Sequence, residues 1–128
     1  MRGLRQTLRA VQPERRSICV VQDVPTYPYD LPYALGLARK RGISDDFLRW
    51  SRAEALQQLA GPEADFHEFE RRALLTTVDP KQLLCRSGSC VFEADGRLLY
   101  VDSNHLTWNG ALLLAGVIDG CFSAFASR

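Results

Sequence analysis

The chain has 128 residues, a formal net charge of +1, 46% hydrophobic residues and 24% charged residues. This size and composition are typical of one globular domain with one core, so residues 1–128 are assigned to a single domain. The near-neutral charge gives no support for a nucleic-acid or membrane-surface binder. No stretch reaches the ~20 apolar residues that span a bilayer, and the start lacks the apolar segment of a signal peptide.

The first part of the chain predicts one helix, one strand and a long loop. Leu4, Leu8 and Val11 recur at helical spacing among arginines, which predicts an amphipathic helix. The continuous apolar run 18–21 predicts a central parallel strand that is covered on both faces. The stretch 25–43 is rich in Pro and Tyr, and we interpret it as a loop over the carboxyl edge of the sheet. That loop is either a lid or substrate wall, or a connection packed by its own tyrosines.

The middle of the chain predicts two short helices and a second strand. Ser51 and Glu54 fit the capping box at the start of a helix, and Gly61 suits its end. Pro62 then suits the first turn of another helix. Residues 74–78 predict a second buried strand, and two such strands joined through helices form a parallel crossover unit.

The last third predicts a hairpin and a final helix. The apolar runs 90–92 and 98–101 flank Asp95-Gly96, a pair typical of a two-residue hairpin turn. The last helix is expected to begin near Thr107, whose hydroxyl suits a cap.

The four cysteines do not have the density of a disulfide scaffold. Cys85 and Cys90 flank a polar turn, which is compatible with a short disulfide or with two free thiols. A zinc site is discounted because no second Cys or His pair has suitable spacing. Cys19, in the middle of a strand, is expected to be a buried and inert thiol, and Cys121 has no neighbours that suggest activation.

The strongest local signal for chemistry is Asp102 followed by His105, between a strand and a helix. A carboxylate bonded to one ring nitrogen fixes the tautomer of a histidine and leaves the other nitrogen free to take a proton from a hydroxyl. The spacing alone is common, so an unrelated α/β domain with a chance Asp-x-x-His remains an alternative.

The other candidate residues are given structural interpretations. His67 lies among acidic residues on a predicted helix and is expected on a solvated face, while Trp50 and Trp108 are expected to pack. The sequence has no Gly-rich phosphate loop, so we expect no cofactor and no metal.

Several segments, read in order, resemble one known family. They are Val20–Pro25, Ser51-Arg52, the Cys-flanked loop Leu84–Cys90, the hairpin and strand Asp95–Asp102, and the loop and helix start Ser103–Ala111. Together they resemble the SGNH-hydrolase-like domain fused to the C-terminus of bacterial membrane acyltransferases of acyltransferase family 3, which O-acetylate cell-surface polysaccharides. The resemblance spans most of the chain.

The resemblance implies an α/β fold, a three-layer α/β/α sandwich with a parallel sheet of the SGNH or flavodoxin-like kind. It implies a periplasmic location, an upstream transmembrane acyltransferase domain as partner, and a polysaccharide substrate. It also implies that His105 is a catalytic base, that Asp102 orients it, and that Cys85 and Cys90 form an oxidised bridge.

One departure from the family pattern concerns the nucleophile. Such domains open with a Gly-Asp-Ser block, and no Gly-Asp-Ser occurs in this sequence. We therefore expect the chain to correspond to the C-terminal part of the domain, incomplete at its N-terminus, and to be inactive alone. The alternative is a non-catalytic module that keeps the fold for carbohydrate or partner binding.

Overall fold

The computed structural model describes residues 2–11, 18–72, 75–86 and 88–126. None of the helices within these ranges is long and apolar enough to cross a membrane. The elements are, in chain order, α1 Arg2–Val11, β1 Cys19–Val21, α2 Leu31–Arg41, a 3₁₀ turn Asp45–Leu48, β2 Trp50–Ser51, α3 Arg52–Arg71, β3 Thr76–Val78, α4 Lys81–Leu84, β4 Ser89–Cys90, β5 Glu93–Ala94, β6 Arg97–Leu98 and α5 Trp108–Ala126.

The predicted parallel crossover is present. Strand β1 pairs with β3 in parallel, with Val20 opposite Thr77 and Val21 opposite Val78. The α/β class is therefore correct. Among the described residues, however, this sheet contains only these two strands. Val21, the last residue of β1, is exposed, so the prediction that the first strand is covered on both faces is wrong at that residue. Leu74, the predicted start of the second strand, lies outside the described residues.

Helices contact both faces of the β1–β3 pair. Alternate residues of a strand point to opposite faces. Val20 packs against a small core formed by Leu8, Phe69 and Leu75, whereas Cys19 is bonded to Cys121 of α5. The first helix therefore buries the Leu8 side as its amphipathic pattern predicts. A complete three-layer sandwich is not seen in the described part of the chain.

The stretch 25–43 was predicted to be a loop, and this is wrong for its second half, which forms α2. The helix begins after Asp30, whose carboxylate accepts the Tyr33 N–H at 2.9 Å, and ends at Gly42 in the left-handed region, at a φ of 63°. Pro32 lies in the first turn, where a missing N–H leaves no helical bond unmade. Leu35 and other apolar residues at helical spacing then bury one face.

The prediction that Gly61 ends one helix and Pro62 begins another is also wrong, because α3 runs without a break through both. Its start follows the predicted cap, with Ser51 Oγ accepting the Glu54 N–H at 3.2 Å. Ala55 near one end packs in the main core and Phe69 near the other end packs in the second core. Packing at both ends outweighs the local preference for a break, as tertiary contacts commonly do.

The main core lies beside the hairpin formed by β5 and β6. The turn residues Asp95 and Gly96 both have positive φ, at 51° and 70°, as a two-residue hairpin turn requires. Behind the hairpin, buried side chains come from α2, α4, α5, the segments between them and the segment before α2. They are Tyr27, Leu31, Leu35, Leu48, Ala55, Leu84, Cys85, Cys90, Phe92, Leu99, Tyr100 and Leu114. This core supports the loop that carries Asp102 and His105.

Candidate active site

Asp102 and His105 face each other across one tight loop. The loop is closed by a single bridge between Tyr100 and Leu106, and the Val101 N–H donates to the His105 carbonyl at 2.9 Å. Within it, Asp102 Oδ2 lies 2.7 Å from His105 Nδ1. This is the distance of a charge-assisted hydrogen bond, and it leaves Nε2 as the ring nitrogen that can exchange a proton with a substrate.

The second carboxylate oxygen of Asp102 organises the backbone of the same loop. Oδ1 accepts the N–H groups of Asn104 and His105, each at 2.8 Å. These two bonds, followed by the bond from the His105 ring, lower the pKa of Asp102 from 3.8 to about 2. The carboxylate therefore stays ionised at any ordinary pH, which is the state that supports a protonated imidazole.

The loop joins the last helix through a well-defined cap. Thr107 Oγ1 donates to the Leu98 carbonyl at 2.8 Å and accepts the Gly110 N–H at 3.2 Å. Gly110 sits so close to Leu99, the residue after β6, that a Cβ added there would clash with the Leu99 carbonyl oxygen. A side chain at this position would push α5 away from the strand, so Gly110 fixes the position of the helix relative to the loop.

Tyr27, which the sequence analysis did not single out, holds the loop from behind. Its N–H donates to the Ser103 carbonyl at 2.8 Å, and its hydroxyl donates to the Cys90 carbonyl at 3.1 Å. Its ring packs edge-on against Tyr100, with centroids 5.1 Å apart. Burial raises the pKa of both phenols, so they stay neutral. Part of the predicted loop 25–43 thus does reach the candidate site.

The other predicted residues are placed as follows. Cys85 and Cys90 are joined by a disulfide. Cys19 was expected to be an inert thiol, and this is wrong because it forms a disulfide with Cys121 across 102 positions of sequence. His67 lies on the exposed face of α3, with Nδ1 3.3 Å from Glu70 Oε2.

The packing prediction is confirmed for Trp50, which packs against the main core, and is wrong for Trp108. Trp50 is partly buried, and its Nε1 has no hydrogen-bond partner among the described residues. Trp108 does not pack, because 77% of it is exposed. It stands at the start of α5, three residues after His105.

A buried ion pair at the carboxyl edge of the parallel strands was also not predicted. Lys81 Nζ lies 2.7 Å from Asp79 Oδ1, just after β3, and 3.4 Å from Gln22 Oε1, just after β1. A buried charge requires such partners. No sequence pattern distinguishes this lysine from a surface one, since its burial depends on the pairing of β1 with β3.

The candidate pair lies on an open surface. The side chain of Asp102 is 39% exposed and that of His105 is 71% exposed. A cavity of about 370 Å³ beside α2, lined mainly by apolar residues such as Tyr33 and Phe47, does not include either of them. No group of His, Cys, Asp and Glu side chains in the described ranges could hold a metal ion.

The Asp102–His105 pair can therefore serve a hydroxyl as a general base, but it contains no nucleophile of its own.

Comparison with family models gives one match, to the SGNH domain (fused to AT3 domains), over residues 1–120. No curated protein and no solved structure matches the chain at a significant level.

Proposed function

The chain belongs to the family of SGNH domains that are fused to AT3 domains, and on this basis we propose that it carries the general base of an extracytoplasmic domain acting on acyl esters of cell-surface polysaccharide. The observation that carries this proposal is the 2.7 Å contact between Asp102 Oδ2 and His105 Nδ1. The partner in this proposal is a transmembrane acyltransferase domain, which would supply the acyl group.

In the proposed reaction, a serine hydroxyl attacks the carbonyl carbon of an acyl ester. His105 Nε2 takes the hydroxyl proton as the serine Oγ–carbon bond forms. The imidazolium is stabilised by the Asp102 carboxylate, and it then protonates the leaving oxygen as the ester bond breaks. A sugar hydroxyl or water releases the acyl-serine by the same steps in reverse order. This sequence contains no Gly-Asp-Ser, so in the proposal the serine and the oxyanion donors come from a separate segment.

The cysteines support the proposed location outside the cytoplasm. All four are joined in two disulfides, Cys19–Cys121 and Cys85–Cys90. Disulfides persist in oxidising compartments such as the periplasm and are rare in the cytosol. In the proposal, delivery to that compartment depends on the acyltransferase partner.

The proposal also includes a larger sheet than the two described parallel strands. A doubly wound sandwich places helices on both faces of a parallel sheet. The contacts of Val20 with one core and of Cys19 with α5 already follow that arrangement. We propose that further strands pair at the open edge of β1 and that the segment with the serine belongs to them.

A second candidate function is a non-catalytic module that binds carbohydrate or a protein partner. The observation that favours it is the absence of a Gly-Asp-Ser block from the 128 residues. The two functions differ in one respect that can be measured, which is whether a supplied serine segment gives turnover.

The experiment that tests the proposal is a reconstitution. The chain is fused to a Gly-Asp-Ser segment from another family member, giving what we call the assembled protein, and hydrolysis of 4-nitrophenyl acetate and of acetylated oligosaccharides is measured. We expect no turnover by the chain alone beyond that of a surface histidine, and turnover by the assembled protein, because base, nucleophile and oxyanion donors act as a unit. The same fusion with Ser→Ala in the added segment is the control. An assembled protein that folds but does not turn over either ester would favour the binding module.

The ionisation of Asp102 gives a test that needs no added segment. We expect a carboxyl ¹³C titration of the folded chain to place the pKa of Asp102 at about 2. In His105→Ala the pKa should rise but stay below 3.8, because the backbone donors of Asn104 and residue 105, the largest causes, remain. A midpoint near 3.8 in the folded wild-type chain would contradict the geometry of the loop.

The same shift predicts the pH dependence of stability. The pKa of Asp102 is lower in the folded than in the unfolded chain, so its contribution is present above about pH 4 and is lost as the pH falls toward about 2. Asp102→Asn should therefore weaken the acid dependence of the melting temperature in that range, which thermal melts between pH 2 and pH 5 measure.

A further inference from the structure

The peptide unit between Ser103 and Asn104 is held at both of its polar groups. Its N–H, that of Asn104, donates to Asp102 Oδ1 at 2.8 Å. Its carbonyl, that of Ser103, accepts the Tyr27 N–H at 2.8 Å. A peptide unit is planar, so a bond to the carbonyl also sets the direction of the N–H. The Tyr27 backbone therefore aims the Asn104 N–H at the carboxylate that contacts His105.

The hydroxyl of the same tyrosine contacts a second peptide unit, the one between Cys90 and Val91. Tyr27 Oη donates to the Cys90 carbonyl at 3.1 Å. The Val91 N–H donates to the Leu84 carbonyl, at the end of α4, at 2.8 Å. This unit is trans, so its C=O and N–H point in opposite directions. The bond to α4 on one side therefore directs the Cys90 carbonyl toward Tyr27 on the other.

The Cys85–Cys90 disulfide ties this second peptide unit to the same helix. Cys85 is the residue at which α4 ends, directly after Leu84. The disulfide and the Val91 N–H bond thus join the same two segments. The bridge closes a loop of only five positions, so it restricts the unfolded chain little. In the folded chain it restricts the position of the carbonyl that receives the Tyr27 hydroxyl.

Tyr27 itself is held rigidly between its two hydrogen bonds. It is 2% exposed, and its ring packs edge-on against Tyr100 and Phe92, with centroid distances of 5.1 and 6.5 Å. A side chain packed in this way has little freedom to change rotamer. A displacement of the hydroxyl is therefore passed to the N–H of the same residue.

We propose that Tyr27 is a positioning residue for the Asp102–His105 pair and that the Cys85–Cys90 bridge acts on this pair through Tyr27. The connection runs from the disulfide through the hydroxyl and the N–H of the tyrosine to the loop. Its effect on turnover rests on the proposed function, whereas its effect on the geometry of the pair does not.

The first test breaks the connection at the tyrosine in the full chain. Tyr27→Phe removes the hydroxyl and keeps the ring. We expect the pKa of Asp102 to rise by about 0.7 and amide exchange at Asn104 to become about fivefold faster, as the weakening of one hydrogen bond predicts. Carboxyl ¹³C titration and amide hydrogen exchange measure the two changes. Tyr29→Phe is the matched control, because its hydroxyl donates to the Phe47 carbonyl, and it should change neither value.

The second test compares the two disulfides. Cys85→Ala with Cys90→Ala should give the same two changes as Tyr27→Phe. Cys19→Ala with Cys121→Ala should give neither, because Cys121 lies about 20 Å along α5 from the start of that helix. The long-range bridge is nevertheless expected to stabilise the fold more, since it closes the longer loop. If the short bridge had only a structural role, the order of the two effects on the loop would be reversed.

A double-mutant cycle tests whether the bridge acts through the tyrosine. In the variant that lacks Cys85 and Cys90, Tyr27→Phe should raise the pKa of Asp102 by a further 0.2 or less, roughly, because the connection is already broken. In the assembled protein, Tyr27→Phe should lower kcat about fivefold and leave KM unchanged, since the buried ring does not bind substrate.

Three results would overturn the proposal. In the first, the pKa of Asp102 stays at about 2 in Tyr27→Phe, a variant that keeps both bridges and so does not depend on the folding of a cysteine variant. In the second, removing either disulfide raises this pKa equally, which would indicate general loosening. In the third, the effects in the cycle add, which would show that the bridge acts by another route. If the wild-type assembled protein does not turn over esters, the proposed function fails, and the titrations still decide the positioning role.

Discussion

Replacing His105 by alanine is expected to lower the kcat of the assembled protein on acetyl esters by on the order of 10⁶-fold, the loss typical of removing the base from a catalytic triad. The serine hydroxyl would then have no group to take its proton. Asp102→Asn is expected to cost on the order of 10⁴-fold. The asparagine Oδ1 can still accept the N–H groups of Asn104 and His105, which keeps the loop closed. Its amide cannot stabilise an imidazolium and favours the wrong tautomer.

A matched control is present elsewhere in the chain. His67 and Glu70 on α3 form a second His–carboxylate pair at the same i,i+3 spacing, with 3.3 Å between Nδ1 and Oε2. His67→Ala should leave turnover unchanged, because His67 is exposed and its part of α3 packs through Phe69 in the second core, not in the core that supports the loop. Thermal melting of each variant checks that it is folded. Equal turnover with alanine at position 105 would show that His105 is not the base, and the similarity to the family would then be one of fold alone.

The parts of the structure that the sequence predicts correctly are those fixed by short-range chemistry. Asp95-Gly96 specifies its own turn because both residues must take a positive φ. Ser51 caps α3 through a neighbour three residues away. The Asp102–His105 contact is of the same kind, since both residues belong to one loop. The two parallel strands also follow from composition, because continuous apolar runs indicate buried strands.

The errors arise where distant parts of the chain decide the outcome. Gly61-Pro62 is a strong local signal for a break, yet α3 is held at Ala55 and Phe69 by two separate cores. A helix after Asp30 could have been found, since an Asp cap, a Pro in the first turn and Gly42 at the end are all local signals. The exposure of Trp108 could not have been predicted, because the sequence does not indicate which side of a helix start faces solvent.

The pairing of Cys19 with Cys121 has no local signal at all, because the two residues are separated by 102 positions. It depends on α5 returning across the face of β1. Cys19 is the one residue of that strand bonded to the last helix, while Val20 faces the opposite core. The bridge therefore ties the end of the chain to its first strand, and its contribution to stability should be large.

Removal of this bridge by Cys19→Ala with Cys121→Ala is expected to lower the free energy of unfolding by about 4.7 kcal/mol, the chain-entropy value for a loop of about 100 residues. The other bridge closes a loop of only five positions. Its removal by Cys85→Ala with Cys90→Ala should therefore lower the free energy of unfolding by only about 2 kcal/mol. Urea unfolding of the three proteins under oxidising conditions measures both losses.

The two double variants control each other, because each removes two sulfurs and one bond. Three of the four cysteines, Cys85, Cys90 and Cys121, are buried, so the packing losses are similar. The difference of about 2.7 kcal/mol between the variants then reports loop length in the unfolded chain rather than the sulfurs themselves. Equal losses, or a smaller loss for the long-range pair, would show that this bridge does not restrain the unfolded chain as its span requires. The helix α5 would then be held in place by its packing in the main core at Leu114 and Ile118 instead.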